Sequence, residues 1–216
     1  KLSGKILYKG KNHMEIKNYI WDFDGTLYDS YPAMVEGAAK ALQDFGIIKD
    51  PREIYQTMKK FSTRQLREEY QLEEEEFTPV FHQYERESSL KPQPFAATEE
   101  VLRSLKNHGA RHFILTHRLT ESTWELLGNY GLTDLIEEVV GIDQNFPRKP
   151  SPDALNYLIE RFEMKKSETM MIGDRRLDIE AGKRAGVLTC LYDIDHFLGE
   201  IPADYVIDDL RKILAI

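Results

Sequence analysis

The chain has 216 residues, 29 basic against 37 acidic side chains, a net charge of −8 and 41% hydrophobic content, which suits one globular core carrying an insertion. No apolar run approaches the roughly 20 residues of a membrane-spanning helix, and an acidic chain without a basic patch excludes a nucleic-acid backbone or an anionic membrane as partner. The single cysteine, Cys190, excludes an internal disulfide framework and fits a reducing, cytoplasmic setting, and the six histidines lack His-x-His or His-Glu-x-x-His spacing for zinc.

In chain order, Lys1 to His13 hold four lysines and no acid, and are expected to be a leader or extension, residues 1–13, ahead of a native start at Met14. The apolar run Tyr19 to Phe23 then empties into Asp22, Asp24, Gly25 and Thr26, the pattern of a buried strand ending in a turn. Asp-Gly is a common turn dipeptide. A bend at Gly25, however, also lets Asp22 face a substrate while Asp24 stands beside it as proton donor or acceptor.

Tyr31, Met34, Val35, Ala38, Leu42 and Phe45 recur at helical spacing, with Gly46 as the stop. Asp50-Pro51 reads as cap and first turn of a helix carrying Ile54, Tyr55, Met58 and Phe61, and Ser62-Thr63 opens another through Leu66 and Tyr70. Glu73 to Glu76 precede Phe77, Val80, Phe81 and Tyr84 and suit the positive end of a helix dipole, not a metal site. Residues 30–91 are therefore expected to be an all-helical insertion, closed by the break at Pro92-Gln93-Pro94. The core is expected over 14–29 and 92–216.

From there the rhythm is α/β. Helices are expected at Glu99–His108, Glu121–Tyr130, Pro152–Phe162 and Leu177–Ala185. Strands are expected at His112–Thr116, Glu138–Gly141, Thr169–Ile172, Leu188–Tyr192 and Tyr205–Ile207, with a last helix from Asp209. Alternation of this kind implies a parallel sheet covered on both faces, with ligands outside the carboxyl ends of its strands.

The strand ends offer Asp22 and Asp24, then Thr116, then Gly173-Asp174 with Asp178 a helical turn later. Lys149 is set between Arg148 and the Pro150-Ser151-Pro152 run. Singly, each has a plain reading as turn residue, helix cap or solvated loop charge. Together, three carboxylates favour Mg²⁺. With Lys149 and Thr116 neutralising a phosphoryl group, Asp22 can accept it and Asp24 can give a proton to the leaving alkoxide.

Asp22-x-Asp24-Gly25-Thr26, Thr116, Lys149 and Gly173-Asp174 with Asp178 stand in the order found in the haloacid dehalogenase-like hydrolase superfamily, which the chain resembles from Lys17 to Ile216. The resemblance is to the phosphoglycolate phosphatase and beta-phosphoglucomutase subgroup. It implies a Rossmann-like core with an alpha-helical cap, Asp22 as nucleophile and Asp24 as general acid/base. It further implies Mg²⁺ on Asp22, the backbone carbonyl of Asp24, and Asp174, with Asp178 supporting the metal, and phosphate held by Thr116 and Lys149. Dehalogenases themselves lack the aspartate at the position of Asp24, because a halide leaves without a proton. A phosphatase acting on a small phosphorylated metabolite, with no obligate protein partner, is therefore the first expectation and a phosphomutase the second; a receiver-like signalling domain or a non-catalytic binding protein are the readings from other classes. Two departures from the family pattern are Arg175-Arg176 after Asp174, and His117-Arg118 after Thr116. Lys59, Lys60 and Arg64 in the insertion, with His117, Arg118 and Arg175 near the core motifs, are candidates for contacting the rest of the substrate.

Overall fold

The computed structural model describes residues 15–216; the expected leader and the start at Met14 lie outside the described residues. The apolar run that opens the chain becomes β1 (Asn18–Trp21), a buried strand in the middle of a six-stranded sheet. The other sheet strands are β4 (Arg111–Leu115), β5 (Glu138–Val140), β6 (Thr169–Gly173), β7 (Leu188–Tyr192) and β8 (Tyr205–Ile207), in the order β5-β4-β1-β6-β7-β8. Every pairing in this sheet is parallel, with Ile20 set between Phe113 and Met171.

Alternate residues of these strands feed two cores, as period-two side chains must. Tyr19, Trp21, Ile114, Met170 and Ile172 pack with Val101 and Leu102 of α5 (Thr98–Asn107) and Leu127 of α6 (Thr120–Asn129). On the opposite face Ile20, Phe113, Leu115 and Met171 pack with Leu155 and Leu158 of α7 (Asp153–Arg161) and Ala181 and Ala185 of α8 (Arg176–Ala185). The near-continuous apolar composition of the central strands follows from burial on both faces. The fold is α/β, with the parallel Rossmann-like sheet expected from the alternation.

Between β1 and α5 the chain forms α1 (Tyr31–Asp44), α2 (Pro51–Lys60), α3 (Thr63–Glu69) and α4 (Glu74–Glu87). Their start signals act as the sequence indicates: Arg52 N–H donates to the Asp50 carboxylate at 2.7 Å, and Gln65 N–H to Ser62 Oγ at 3.2 Å. The four helices share a hydrophobic cluster of their own, including Ala38, Leu42, Ile54, Met58, Leu66, Phe77 and Phe81.

Two expectations change. The Pro92-Gln93-Pro94 break contains a short strand, β3 (Gln93–Pro94), antiparallel to β2 (Tyr28–Asp29), so the exit from the helices is pinned beside their entry. The ladder tolerates Pro94 because the next bond comes from Phe95 N–H to Leu27 O, at 3.0 Å. The last helix, expected from Asp209, is a 3₁₀ segment over Leu210–Ala215. Its buried residues, Leu210 and Ile213, are spaced by three, matching three residues per turn.

Candidate active site

Asp22 leaves β1 at the carboxyl edge of the sheet, where its N–H still bonds Ile172 O at 2.8 Å. Phe23 O then accepts from Leu27 N–H at 3.1 Å and Tyr28 N–H at 3.0 Å, folding the chain back. Gly25 makes the bend at φ +83°, and the site needs its missing side chain: a Cβ there would lie 2.3 Å from Asp174 Oδ2 and 2.4 Å from the Tyr31 ring. One strand over, a Cβ on Gly173 would lie 2.3 Å from that of Asp178. Both glycines allow the acids to close together.

Asp22, Asp174 and Asp178 each present an oxygen within 4.8 Å of the others, and all three are buried. Lys149 is buried with them, which removes the solvated-loop reading. Its Nζ donates to Asp22 Oδ1 at 2.5 Å and to Leu115 O at 3.0 Å, and lies 2.6 Å from Asp178 Oδ1. Thr26 Oγ donates to Asp22 Oδ2 at 3.3 Å. Asp178 also has the capping role its position suggested, accepting Arg175 N–H at 3.1 Å. Burial pushes Asp22 up, Lys149 opposes it, and the charges of Asp178 and Asp174 push it further, leaving its carboxyl raised to about 7. Burial also works against charge on Asp174, but Lys59, Arg175 and the hydrogen bonds from Lys59 and Tyr31 outweigh it, and its pKa is lowered.

These donors fit a hard divalent cation. Asp174 Oδ1 is buried without a hydrogen-bond partner, and Asp178 Oδ1, for all its nearness to Lys149, lies outside hydrogen-bonding geometry. Clustered, unsatisfied carboxylate oxygens are what such an ion satisfies.

The remaining expected residues divide by place. Thr116 is buried at the end of β4, its Oγ accepting Arg118 N–H at 3.0 Å. His117 Nε2 accepts the backbone N–H of Lys149 at 3.1 Å, and burial, then the charges of Lys149, Arg175 and Arg148, press its pKa to about 2. A neutral His117 thus props the Lys149 loop. Arg118 grips Asp24 through Nε, at 3.1 and 3.3 Å, and through Nη2 at 2.8 Å. Of the three basic residues in the insertion, Lys59 is brought to the carboxylates: its Nζ donates to Asp174 Oδ2 at 2.8 Å, with the side chain 1% exposed. Lys60 lies over the Phe197 ring, 5.4 Å from its centroid, and Arg64, 65% exposed, pairs with Glu68 at 2.6 Å. Arg175 is half-buried, its side chain 11% exposed, with Nε 3.7 Å from Asp174 Oδ1.

Two further residues meet these groups that the sequence reading does not place at the site. Tyr31 O–H donates to Asp174 Oδ2 at 3.1 Å, and Glu85 accepts from Arg118 at 2.8 Å. For Glu85 a signal existed: Phe77, Phe81 and Glu85 fall at i, i+4, i+8 on one buried stripe of α4, where a charge needs a partner. Beside the carboxylates, between the helical insertion and the sheet, lies a cleft of about 370 Å³ whose lining includes Gly25, Tyr31, Tyr55, Lys59, Phe95 and Ile194.

Residues 19–192 match the sequence model of the haloacid dehalogenase-like hydrolase family. A phosphoglycolate phosphatase of Vibrio parahaemolyticus is 28% identical over 223 residues, covering 94% of this chain and 96% of its own. A pyrophosphatase of Halalkalibacterium halodurans is 28% identical over 211 residues, covering 94% and 97%. The crystal structure of a hydrolase from Streptococcus pneumoniae, 32% identical, covers 94% of this chain and 100% of its own with a TM-score of 0.63. With the motifs converging on one sheet edge and the family match running from the first core strand to the end of β7, this chain belongs to the haloacid dehalogenase-like hydrolases.

Proposed function

We propose that the protein is a Mg²⁺-dependent phosphatase that hydrolyses small phosphate monoesters through an aspartyl phosphate on Asp22. The observation that carries this reading is the buried convergence of Asp22, Asp174 and Asp178 on Lys149, with Asp24 two residues from the nucleophile. Asp22, the backbone carbonyl of Asp24, and Asp174 would hold the ion, with Asp178 supporting it from behind. When bound, Mg²⁺ supplies positive charge that offsets the phosphoryl oxygens and lets the buried Asp22 carboxylate ionise at neutral pH.

The residues of the chain then divide the reaction. A carboxylate oxygen of Asp22 attacks phosphorus, and the bond to the ester oxygen breaks with its electron pair going to the leaving alkoxide. Protonated Asp24 gives that oxygen its proton. In the second half Asp24 takes a proton from water, whose oxygen attacks the phosphorus and releases phosphate and the Asp22 carboxylate. Lys149 Nζ and Thr116 Oγ donate to the transferring oxygens. Helices α1 to α4, with a hydrophobic cluster of their own, act in this reading as a cap over a core formed by the rest of the chain. The cleft beneath them takes the leaving group of a small phosphorylated metabolite.

The test is hydrolysis of p-nitrophenyl phosphate and a panel of phosphorylated metabolites, with and without Mg²⁺. The activities named for the relatives put 2-phosphoglycolate and pyrophosphate at its head. Free phosphate should appear only with the metal present, and Asp22→Asn should lower turnover by at least about 10³-fold, because it removes a nucleophile. Substantial residual turnover in that variant would sink the aspartyl-phosphate route.

A further inference from the structure

We propose that Glu85, on helix α4 of the insertion, is a positioning residue for Asp24 and acts through Arg118. The inference rests on the phosphatase reading, in which Asp24 is the proton donor. Arg118 Nη2 donates to Glu85 Oε1 and to Asp24 Oδ1, each at 2.8 Å, while its Nε reaches both oxygens of Asp24. A guanidinium is rigid and planar, so fixing its outer nitrogen fixes the plane in which the Asp24 carboxylate lies. The other oxygen of Glu85 meets His82 Nδ1 at 3.1 Å, which leaves the Glu85 carboxylate held on both sides. The three side chains are only 8% (Glu85), 14% (Arg118) and 16% (Asp24) exposed, so water competes weakly for their bonds.

The backbone of Glu85 is placed as firmly as its side chain. Gly37 of α1 faces it so closely that a Cβ there would lie 2.8 Å from Glu85 N and 3.0 Å from Glu85 Cα. Arg118 follows directly from the core strand β4, whereas Glu85 belongs to the inserted helices. While α4 sits against the core the two carboxylates share one guanidinium, so Glu85 adds a constraint from the insertion to the hold that Arg118 already has on Asp24. A salt bridge that merely fastened the insertion would not need to include the residue that delivers the proton.

The experiment compares p-nitrophenyl phosphate with phenyl phosphate, which has nearly the same shape but a more basic leaving group that depends more on a proton from Asp24. Both are assayed with Mg²⁺ using the wild type, Glu85→Gln and Glu85→Asp. Loss of kcat/KM in Glu85→Gln should be at least about ten-fold greater for phenyl phosphate, a fraction of the roughly 10²–10⁴ that a positioned general acid supplies. Glu85→Asp, which keeps the charge and retracts it by one methylene, should recover part of that difference. It also carries the comparison on its own if the glutamine variant does not fold. Equal losses on both esters, or none on either, would overturn the role of Glu85 while leaving the phosphatase reading intact. A wild type that hydrolyses neither ester would remove the phosphatase reading, and this inference with it.

Discussion

At the scale of single residues, the site is built on side chains whose protonation the fold dictates, and His112 shows the same control acting on stability. It is buried in β4, accepting from Trp21 Nε1–H at Nδ1 (3.2 Å) and donating from Nε2 to Leu102 O (3.0 Å). Both nitrogens are used in the neutral form, and burial, which outweighs the hydrogen bond to Leu102, drops its pKa to about 4. An unfolded histidine binds its proton near pH 6.5, so between there and about 4 the unfolded chain holds a proton that the folded chain does not. The stabilisation is therefore complete above about 6.5 and is lost as the pH falls through that window. Urea unfolding at pH 7.5 and 4.5 should show the wild type losing about 2–3 kcal/mol more than His112→Gln, which cannot titrate. Identical losses would mean that His112 is not held neutral. No motif points to this histidine. Its role follows from the pairing of β1 with β4, which sets Tyr19 opposite His112 and puts the imidazole beside Trp21.

At the scale of elements, the tightest packing in the insertion is α1 against α4. It turns on Gly37, where a Cβ would meet the backbone of Glu85 at 2.8 Å and Phe81 O at 3.1 Å. Alanine normally improves a helix by about 1 kcal/mol over glycine. Here the obstacle is backbone, which cannot rotate away, and overpacking of this kind costs about 1–3 kcal/mol. Gly37→Ala should therefore lower the melting temperature. Gly128→Ala in α6, where the added Cβ would meet only Thr133 Cγ2 at 3.9 Å, should raise it. If Gly37→Ala raised it as well, α1 and α4 would not be in the contact described. The helices themselves were readable in the sequence, because caps such as Asp50 and Ser62 and stripes such as Ile54 and Met58 are local signals. So were the four core motifs, since strand ends in a parallel sheet share one edge. What could not be read was anything set by docking the helices on the sheet. Lys59 and Arg64 look alike as basic residues near a helix break, yet one is buried on Asp174 and the other pairs with Glu68 on the surface. The β2–β3 pairing was equally hidden, since it joins segments on either side of some sixty intervening residues and rests on two residues in each.

At the scale of the whole molecule, the insertion and the core are joined by charge as well as by chain. Tyr55 O–H donates to Asp195 at 2.5 Å, Arg118 reaches Glu85, and Lys59 Nζ reaches Asp174. The last contact bears on the proposed metal. Three buried carboxylates, Asp22, Asp174 and Asp178, are faced by Lys149, Arg175 and Lys59, and of these cations only Lys59 is contributed by the insertion. A divalent ion on Asp174 would sit within a few ångströms of that ammonium, and like charges so close in a water-poor site repel by several kcal/mol at an effective dielectric of about 20. Lys59 must then withdraw or the ion must bind more weakly, so metal loading and this docking contact oppose each other until a phosphate anion arrives between them. Lys59→Met keeps the length of the side chain and removes its charge. Titration calorimetry without substrate should show Mg²⁺ binding at least about ten-fold tighter to this variant than to the wild type, or 1.4 kcal/mol. Asp174→Asn should show no comparable site in either background, since it removes a carboxylate that both cations use. Saturating Mg²⁺ should also raise the melting temperature of the variant more than that of the wild type, because an ion bound only by the folded state stabilises it in proportion to the logarithm of its excess over Kd. Equal affinities in the two proteins would show that Lys59 leaves Asp174 without cost, and that the insertion docks on the core independently of the metal.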